Sequence, residues 1–294
     1  MRLAALLASV ALPLAASTWY ITVAGLGGLP EYDSRFQELA AQVDKTLKAA
    51  GGDAKIQTLA GSGATLDNLR AVLKEAARAA QPKDDLALFL IGHGTFDGAD
   101  YKFNLKGPDV SASELASLLD AVPAGRQLVV NTTSSSGGAI EALRRENRVV
   151  ISATRSGTEK NATIFARYVV EALQDPSADT DKNETLSALE VFRYAEQKTA
   201  KFYETQKRLA TEHPTLEDGS KGLAAARFGL LRLGAAQIAA RNPEKQKLLA
   251  RKDELEGQIE KLKYEKAAMP LDEYRKKLQA LLIDLARTQA ELDK

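Results

Sequence analysis

Cysteine is absent from the 294 residues of this chain. That removes thiolate nucleophiles, cysteine-zinc sites, iron–sulfur clusters and disulfides together. Histidine is nearly absent: His93 and His213 are the two present, so imidazole chemistry must pass through one of them. An excess of one charge is missing as well. Lys and Arg number 40 against 39 Asp and Glu, a formal net charge of +1. No basic field therefore exists to hold a nucleic acid or an anionic membrane. A phosphate cradle is also lacking, because Gly25-Leu-Gly-Gly28 has neither the spacing and Lys of a P-loop nor the third Gly of a dinucleotide fingerprint. What remains, 45% hydrophobic and 27% charged residues, is the composition of a globular protein.

The longest apolar run stands at the N-terminus. Met1-Arg2 gives a short positive end, Leu3 to Leu14 is broken only by Ser9 and Pro13, and Ala15-Ala16-Ser17 fits a signal-peptidase site. A bilayer span needs about 20 apolar residues, so residues 1–17 read as a cleaved signal peptide, an uncleaved anchor being the alternative. Cleavage would leave no integral membrane span and place the protein in the periplasm or outside the cell. Export without cysteine suits a bacterial periplasm.

Strand-like and helix-like segments alternate after it. Trp19 to Gly25 is a β-branched and aromatic run, and Phe36, Leu39, Val43 and Leu47 give helical spacing from about Ser34 to Ala50. Lys55 to Leu59, Asp85 to Ile91, Gln127 to Val130 and Val149 to Ser152 bring the strand candidates to five. The run at 85–91 is almost continuously apolar, as in a strand covered on both faces. Ser111-x-x-Glu114 caps a further helix. The pattern predicts an α/β fold: a mainly parallel sheet flanked by helices, within a domain at 18–220.

Residues 221–242 read as a connecting segment. From Pro243 the chain turns to Lys, Glu, Leu and Gln, with Pro270 near its middle. Leu271, Tyr274, Leu278, Leu281, Leu285, Thr288 and Leu292 form an a/d seam, and Leu248, Leu255, Ile259 and Leu262 a weaker one. A helical hairpin or coiled coil over 243–294 is expected, packing on the α/β domain or forming a homodimer.

Two motifs could carry chemistry at strand ends. Ile91-Gly-His-Gly94 follows an apolar strand, where ligands meet open α/β sheets. Asn131-Thr-Thr-Ser-Ser-Ser-Gly-Gly138 follows the next strand and precedes a helix, a setting for an oxyanion. A Ser and a His at neighbouring strand ends are placed to act as nucleophile and base; a turn with an N-cap is the alternative reading of the Ser run.

Together the motifs resemble the legumain- and caspase-like clan of cysteine peptidases, in particular its bacterial legumain-like members. His93-Gly94 is similar to the clan's His-Gly, and Ser136-Gly137 to the Ser-Gly of its Cys-x-Ser-Gly. The segments from Gly94 to Leu115 and from Asn161 to Leu173 also look like the clan's continuation, so the resemblance spans about residues 19–215. It implies a caspase-like fold with Ser134 at the nucleophile position, His93 as base and the Gly94 N–H as oxyanion donor. Thr133 or Ser135 remain alternatives for the nucleophile position. A serine hydroxyl does not ionise as a thiol does and needs a base oriented by a third group; Asp85, Asp97 and Asp109 are merely near His93 in sequence. The chain is therefore expected to be a pseudoenzyme acting as a peptide- or protein-binding module. The alternative is a serine peptidase or esterase using Ser134 and His93.

Residues 179–190 carry a third pattern. Asp179, Asp181, Asn183, Thr185, Ser187 and Glu190 occupy positions 1, 3, 5, 7, 9 and 12 of an EF-hand calcium loop, with Leu186 at position 8. Glu184 stands at position 6, where Gly normally permits a positive φ, and Pro176 interrupts the entering helix. Ser187-x-x-Glu190 is equally a capping box. Ca²⁺ is the one cofactor expected. His213 is expected on a surface loop beside the carboxylates of its own segment.

Overall fold

Side chains alternate across a strand, and the strand runs around residues 19–24 and 86–91 are apolar on both sides, which demands helices on both faces of their sheet. The computed structural model describes residues 17–51 and 54–294; all of the expected signal segment except Ser17 lies outside them. From β1 (Thr18–Ala24) the chain enters α1 (Pro30–Ala50) and returns as β2 (Lys55–Leu59). α1 begins before the expected Ser34 because Pro30 sits in the first turn, where its missing N–H is no loss. α2 (Leu66–Ala79) is capped by the Thr65 hydroxyl and leads to β3 (Asp85–Ile91). A small antiparallel sheet of β4 (Gly94–Phe96), β5 (Tyr101–Phe103) and β6 (Val110–Ser111) follows, then α3 (Ala112–Asp120) and β7 (Arg126–Asn131). Next come α4 (Ile140–Leu143), β8 (Arg148–Ser152), α5 (Phe165–Gln174), β9 (Thr185–Ser187) and α6 (Ala188–Thr205). The chain continues through β10 (Thr215–Glu217), α7 (Leu223–Ala226), β11 (Gly229–Arg232) and α8 (Gly234–Ala239). It ends in α9 (Pro243–Glu265) and α10 (Leu271–Leu292).

The main sheet has six strands in the order β10-β8-β7-β3-β1-β2. Strands β1, β2, β3, β7 and β8 are parallel, and β10 pairs antiparallel with β8. Tyr20, Ala24, Ala87, Phe89 and Ile91 pack with Phe36, Val43 and Leu47 of α1, and with α5 and α6. Trp19, Ile21, Val23, Leu86, Leu88 and Leu90 face the other way, onto Leu69 and Leu73 of α2 and Leu115 and Leu119 of α3.

The five expected strands are present, and His213 stands on an exposed loop as expected; a sixth strand follows that loop, since three half-buried residues suffice for an antiparallel edge strand and leave no periodic signal. The segment 221–242 is likewise no mere connector. Ala225, Phe228, Leu230 and Leu231 are buried in the core, and β11 pairs with β9. Small residues at 224–226 pack closely without an apolar period.

The C-terminal helices form a hairpin within one chain. α9 buries Leu249, Leu255, Ile259 and Leu262 against α7, α8 and α10, Leu249 lying deeper than the expected Leu248. α10 buries Thr288 and Leu292 and half-buries Tyr274, Leu278, Leu281 and Leu285, while Leu271 is exposed. Among the described residues no helix is long and apolar enough to cross a membrane.

Candidate functional site

Strands β1, β3, β7 and β8 deliver their following loops to one edge of the sheet, and His93 and the 132–137 run meet there. Backbone proximity explains both glycine motifs. A Cβ on Gly94 would fall 2.5 Å from the Ser134 carbonyl oxygen and 2.7 Å from Thr133 Oγ1, and one on Gly137 would collide with the Ser156 backbone.

Ser134 is 4% exposed. Its hydroxyl donates to the Gly94 carbonyl at 2.9 Å and accepts the Gly94 N–H at 3.2 Å. The expected nucleophile and the expected oxyanion donor are thus bonded to each other. Of the neighbouring alternatives, Thr133 is engaged and Ser135 is not. Thr133 Oγ1 donates to Asn131 Oδ1 at 2.9 Å and lies 2.6 Å from the Tyr101 hydroxyl. Ser135 takes a left-handed φ of +57°, with its hydroxyl buried and unpartnered. Burial first of all pushes the Tyr101 hydroxyl up to about 12, so it stays a neutral member of this network.

His93 is half-buried, its ring edge-on to Tyr32 and Phe36 at centroid distances of 4.7 and 5.0 Å. Burial lowers its pKa, with the Asp33 charge opposing, and so favours neutral imidazole. The three aspartates near it in sequence are committed elsewhere: Asp85 to Arg126, Asp97 to the Ala99 and Asp100 N–H groups, Asp109 to Asn104 and the Leu105 N–H. Asp33 itself accepts the Gly27 N–H at 2.7 Å.

Sequence reasoning missed Glu159. Its carboxylate lies 2.6 Å from His213 Nδ1, and its carbonyl accepts the Ser135 N–H at 2.8 Å, so His213 joins the same edge of the sheet. This corrects the expected pairing of His213 with carboxylates of its own segment: Glu212 turns inward and accepts the Ile164 and Phe165 N–H groups at 2.8 and 3.2 Å. The partners are 54 residues apart, beyond any local pattern.

The 179–190 loop lies at the opposite end of the sheet. It borders a cavity of about 870 Å³ that also touches Thr18, Asp85 and Arg126, the first residues of β1, β3 and β7. The loop curls as its spacing predicts. The Asn183, Glu184 and Thr185 N–H groups donate to Asp181, Asp179 and Asn183 at 3.1, 3.1 and 2.7 Å. Glu184 takes the positive φ of 65° without being glycine. The strain of a left-handed non-glycine, about 1–2 kcal/mol, is offset by its carboxylate, which accepts the Ala236 N–H at 2.8 Å. Ser187 is engaged by the capping box: its hydroxyl donates to Glu190 at 2.8 Å and accepts the Glu190 N–H at 3.3 Å. Burial first, then the charges of Glu190 and Asp179, raises the pKa of Asp181.

No protein family matches the chain, and no curated protein does. Among solved structures it is similar to GSU0716 from Geobacter sulfurreducens, at 13% identity and a TM-score of 0.46 over 69% of this chain and 92% of that one. It is also similar to the Drosophila initiator caspase Dronc, at 8% identity and a TM-score of 0.44 over 69% of this chain and 79% of that one.

Proposed function

We propose that this chain is an exported, catalytically silent protein of the caspase- and legumain-like fold that binds a peptide or protein segment at the carboxyl edge of its sheet. The observation that carries this reading is the closure of Ser134 on Gly94. A nucleophilic serine must pass its proton to a base as it attacks, and here the proton points at a carbonyl, which is no base. The N–H that would stabilise an oxyanion points at the same hydroxyl. His93, for its part, meets Asp33 through charge rather than through an orienting hydrogen bond.

What the edge offers is surface. Leu26 and Leu29, 44% and 58% exposed, stand on the loop after β1, and Arg155 is exposed on the loop after β8. Apolar anchors with a polar rim suit an extended segment with apolar side chains. The test is hydrolysis of peptide and ester panels by the protein beside Ser134→Ala and His93→Ala. All three should match buffer alone; hydrolysis lost in both variants would make the protein a serine hydrolase instead. A bound apolar peptide should slow amide exchange at residues 25–29, and peptides that bind without doing so would place recognition elsewhere.

Export belongs to the same reading. Removal of residues 1–17 leaves Thr18, the first residue of β1, as the new N-terminus. N-terminal sequencing of periplasmic protein should begin at Thr18, and a retained Met1 would reverse this part of the proposal.

A further inference from the structure

At the far end of the sheet three carboxylates converge. One oxygen from each of Asp179, Asp181 and Glu190 lies within 4.8 Å of the others. Like charges at that spacing repel unless a cation stands among them. An acidic cluster alone proves little, and Asp179 supplies the independent observation. It is 5% exposed; its Oδ2 accepts the Glu184 N–H, whereas its Oδ1 is buried and meets no donor. Buried carboxylate oxygens are normally bonded, and a metal ion is a partner that leaves no trace in a hydrogen-bond count.

The donor set selects the ion. All donors are oxygens, and neither imidazole nor thiolate is near, so the site suits a hard cation. Lys182 and Glu184 hold left-handed φ values of 60° and 65°, at positions 4 and 6. They curl the loop into an irregular cage that fits the flexible coordination of Ca²⁺ better than the strict octahedron of Mg²⁺. Glu190 Oε1 accepts the Thr180 N–H and hydroxyl at 2.9 and 3.0 Å, and Oε2 the Ser187 N–H and hydroxyl at 2.9 and 2.8 Å, so the carboxylate is held in place and an ion reaches it by displacing the rotatable hydroxyl donors. The cavity beside the loop provides entry, since Asp181 and Glu190 both line it.

One wall comes from the hairpin. Lys252 of α9, 6% exposed, donates to the Asn183 carbonyl at 2.8 Å, and Asn183 Nδ2 lies 3.4 Å from Glu256 Oε2. We propose that residues 179–190 form an EF-hand-type calcium site, with Asp179, Asp181, Asn183 and Glu190 giving side-chain oxygens and Thr185 its carbonyl, and that Asn183 couples the bound ion to the seating of α9. Ser187, committed to the helix cap, is outside the coordination shell or reaches the ion through water.

The test uses the full chain freed of metal by chelation. Millimolar Ca²⁺ should raise the unfolding midpoint by on the order of 5 °C, and equal Mg²⁺ by much less. Asp179→Asn and the more exposed Asp181→Asn should each fold and lose the calcium shift. Hydrogen exchange in α9 should slow several-fold with Ca²⁺ in the parent and not in either variant. No calcium shift in the parent, or a full shift in a folded Asp179→Asn or Asp181→Asn, would overturn the site. A shift without slower exchange in α9 would overturn the coupling.

Discussion

At position 134 serine and cysteine differ in size as well as acidity. Oxygen reaches the Gly94 carbonyl at 2.9 Å and its N–H at 3.2 Å; sulfur is larger and a weaker donor and acceptor. Ser134→Ala removes a bridge and strands two buried backbone groups, at about 1–3 kcal/mol for each group left unsatisfied. The expected outcome is a melting temperature several degrees lower, read by circular dichroism, with catalysis unchanged. Gly94→Ala should be worse, because its Cβ would lie 2.5 Å from the Ser134 carbonyl oxygen, and overpacking costs about 1–3 kcal/mol or more; loss of soluble expression is the expected readout. His93 gives a pH signature. Burial holds its pKa below the ordinary 6.5, so the unfolded chain takes the proton first as pH falls. Its contribution is complete above about pH 6.5 and declines below it. Between about pH 7.5 and about pH 5.5 the parent should lose more stability than His93→Phe, which keeps the ring packing on Tyr32 and Phe36 without the titration. Equal losses would show that the ring is not desolvated.

Among the elements, α9 and α10 differ in what they bury. Leu255 on α9 is 0% exposed and Leu282 on α10 is 48% exposed. Leu255→Ala should therefore cost about 2–5 kcal/mol, and Leu282→Ala less than about 0.5 kcal/mol, both measurable by denaturant unfolding. Periodicity made these elements legible: the parallel strands, the hairpin and the Ser187–Glu190 capping box all announce themselves within a few residues. Elements set by distant partners did not. β10 exists because β8 has a free edge, β11 because β9 does, and neither has an apolar period of its own. The site divides the same way. The spacing of 179–190 pointed to a curled loop, though Glu184 at position 6 counted against it and yet takes the positive φ, and nothing showed that Lys252 and Glu256 of α9 would stand against it. The His-Gly and Ser-Gly motifs located one edge of the sheet, yet nothing local showed that Ser134 would bond Gly94 or that His213 would find Glu159.

For the whole molecule, the two ends of the sheet carry different chemistry. The carboxyl edge gathers hydroxyls, two histidines and exposed leucines over a buried polar network joining Asn131, Thr133 and Tyr101. The other end holds the acidic loop, the 870 Å³ cavity and the hairpin. Ion binding at one end and peptide binding at the other would share the rigid sheet between them, so a peptide should bind Asp181→Asn and the parent alike, by titration calorimetry. Whether Ser134 is a structural bridge or a nucleophile can be measured without knowing any substrate. Intact-mass spectrometry after incubation with excess fluorophosphonate, a general serine-nucleophile probe, should find the mass unchanged. A single adduct on Ser134, absent from Ser134→Ala and slowed in His93→Ala, would contradict the bridging role.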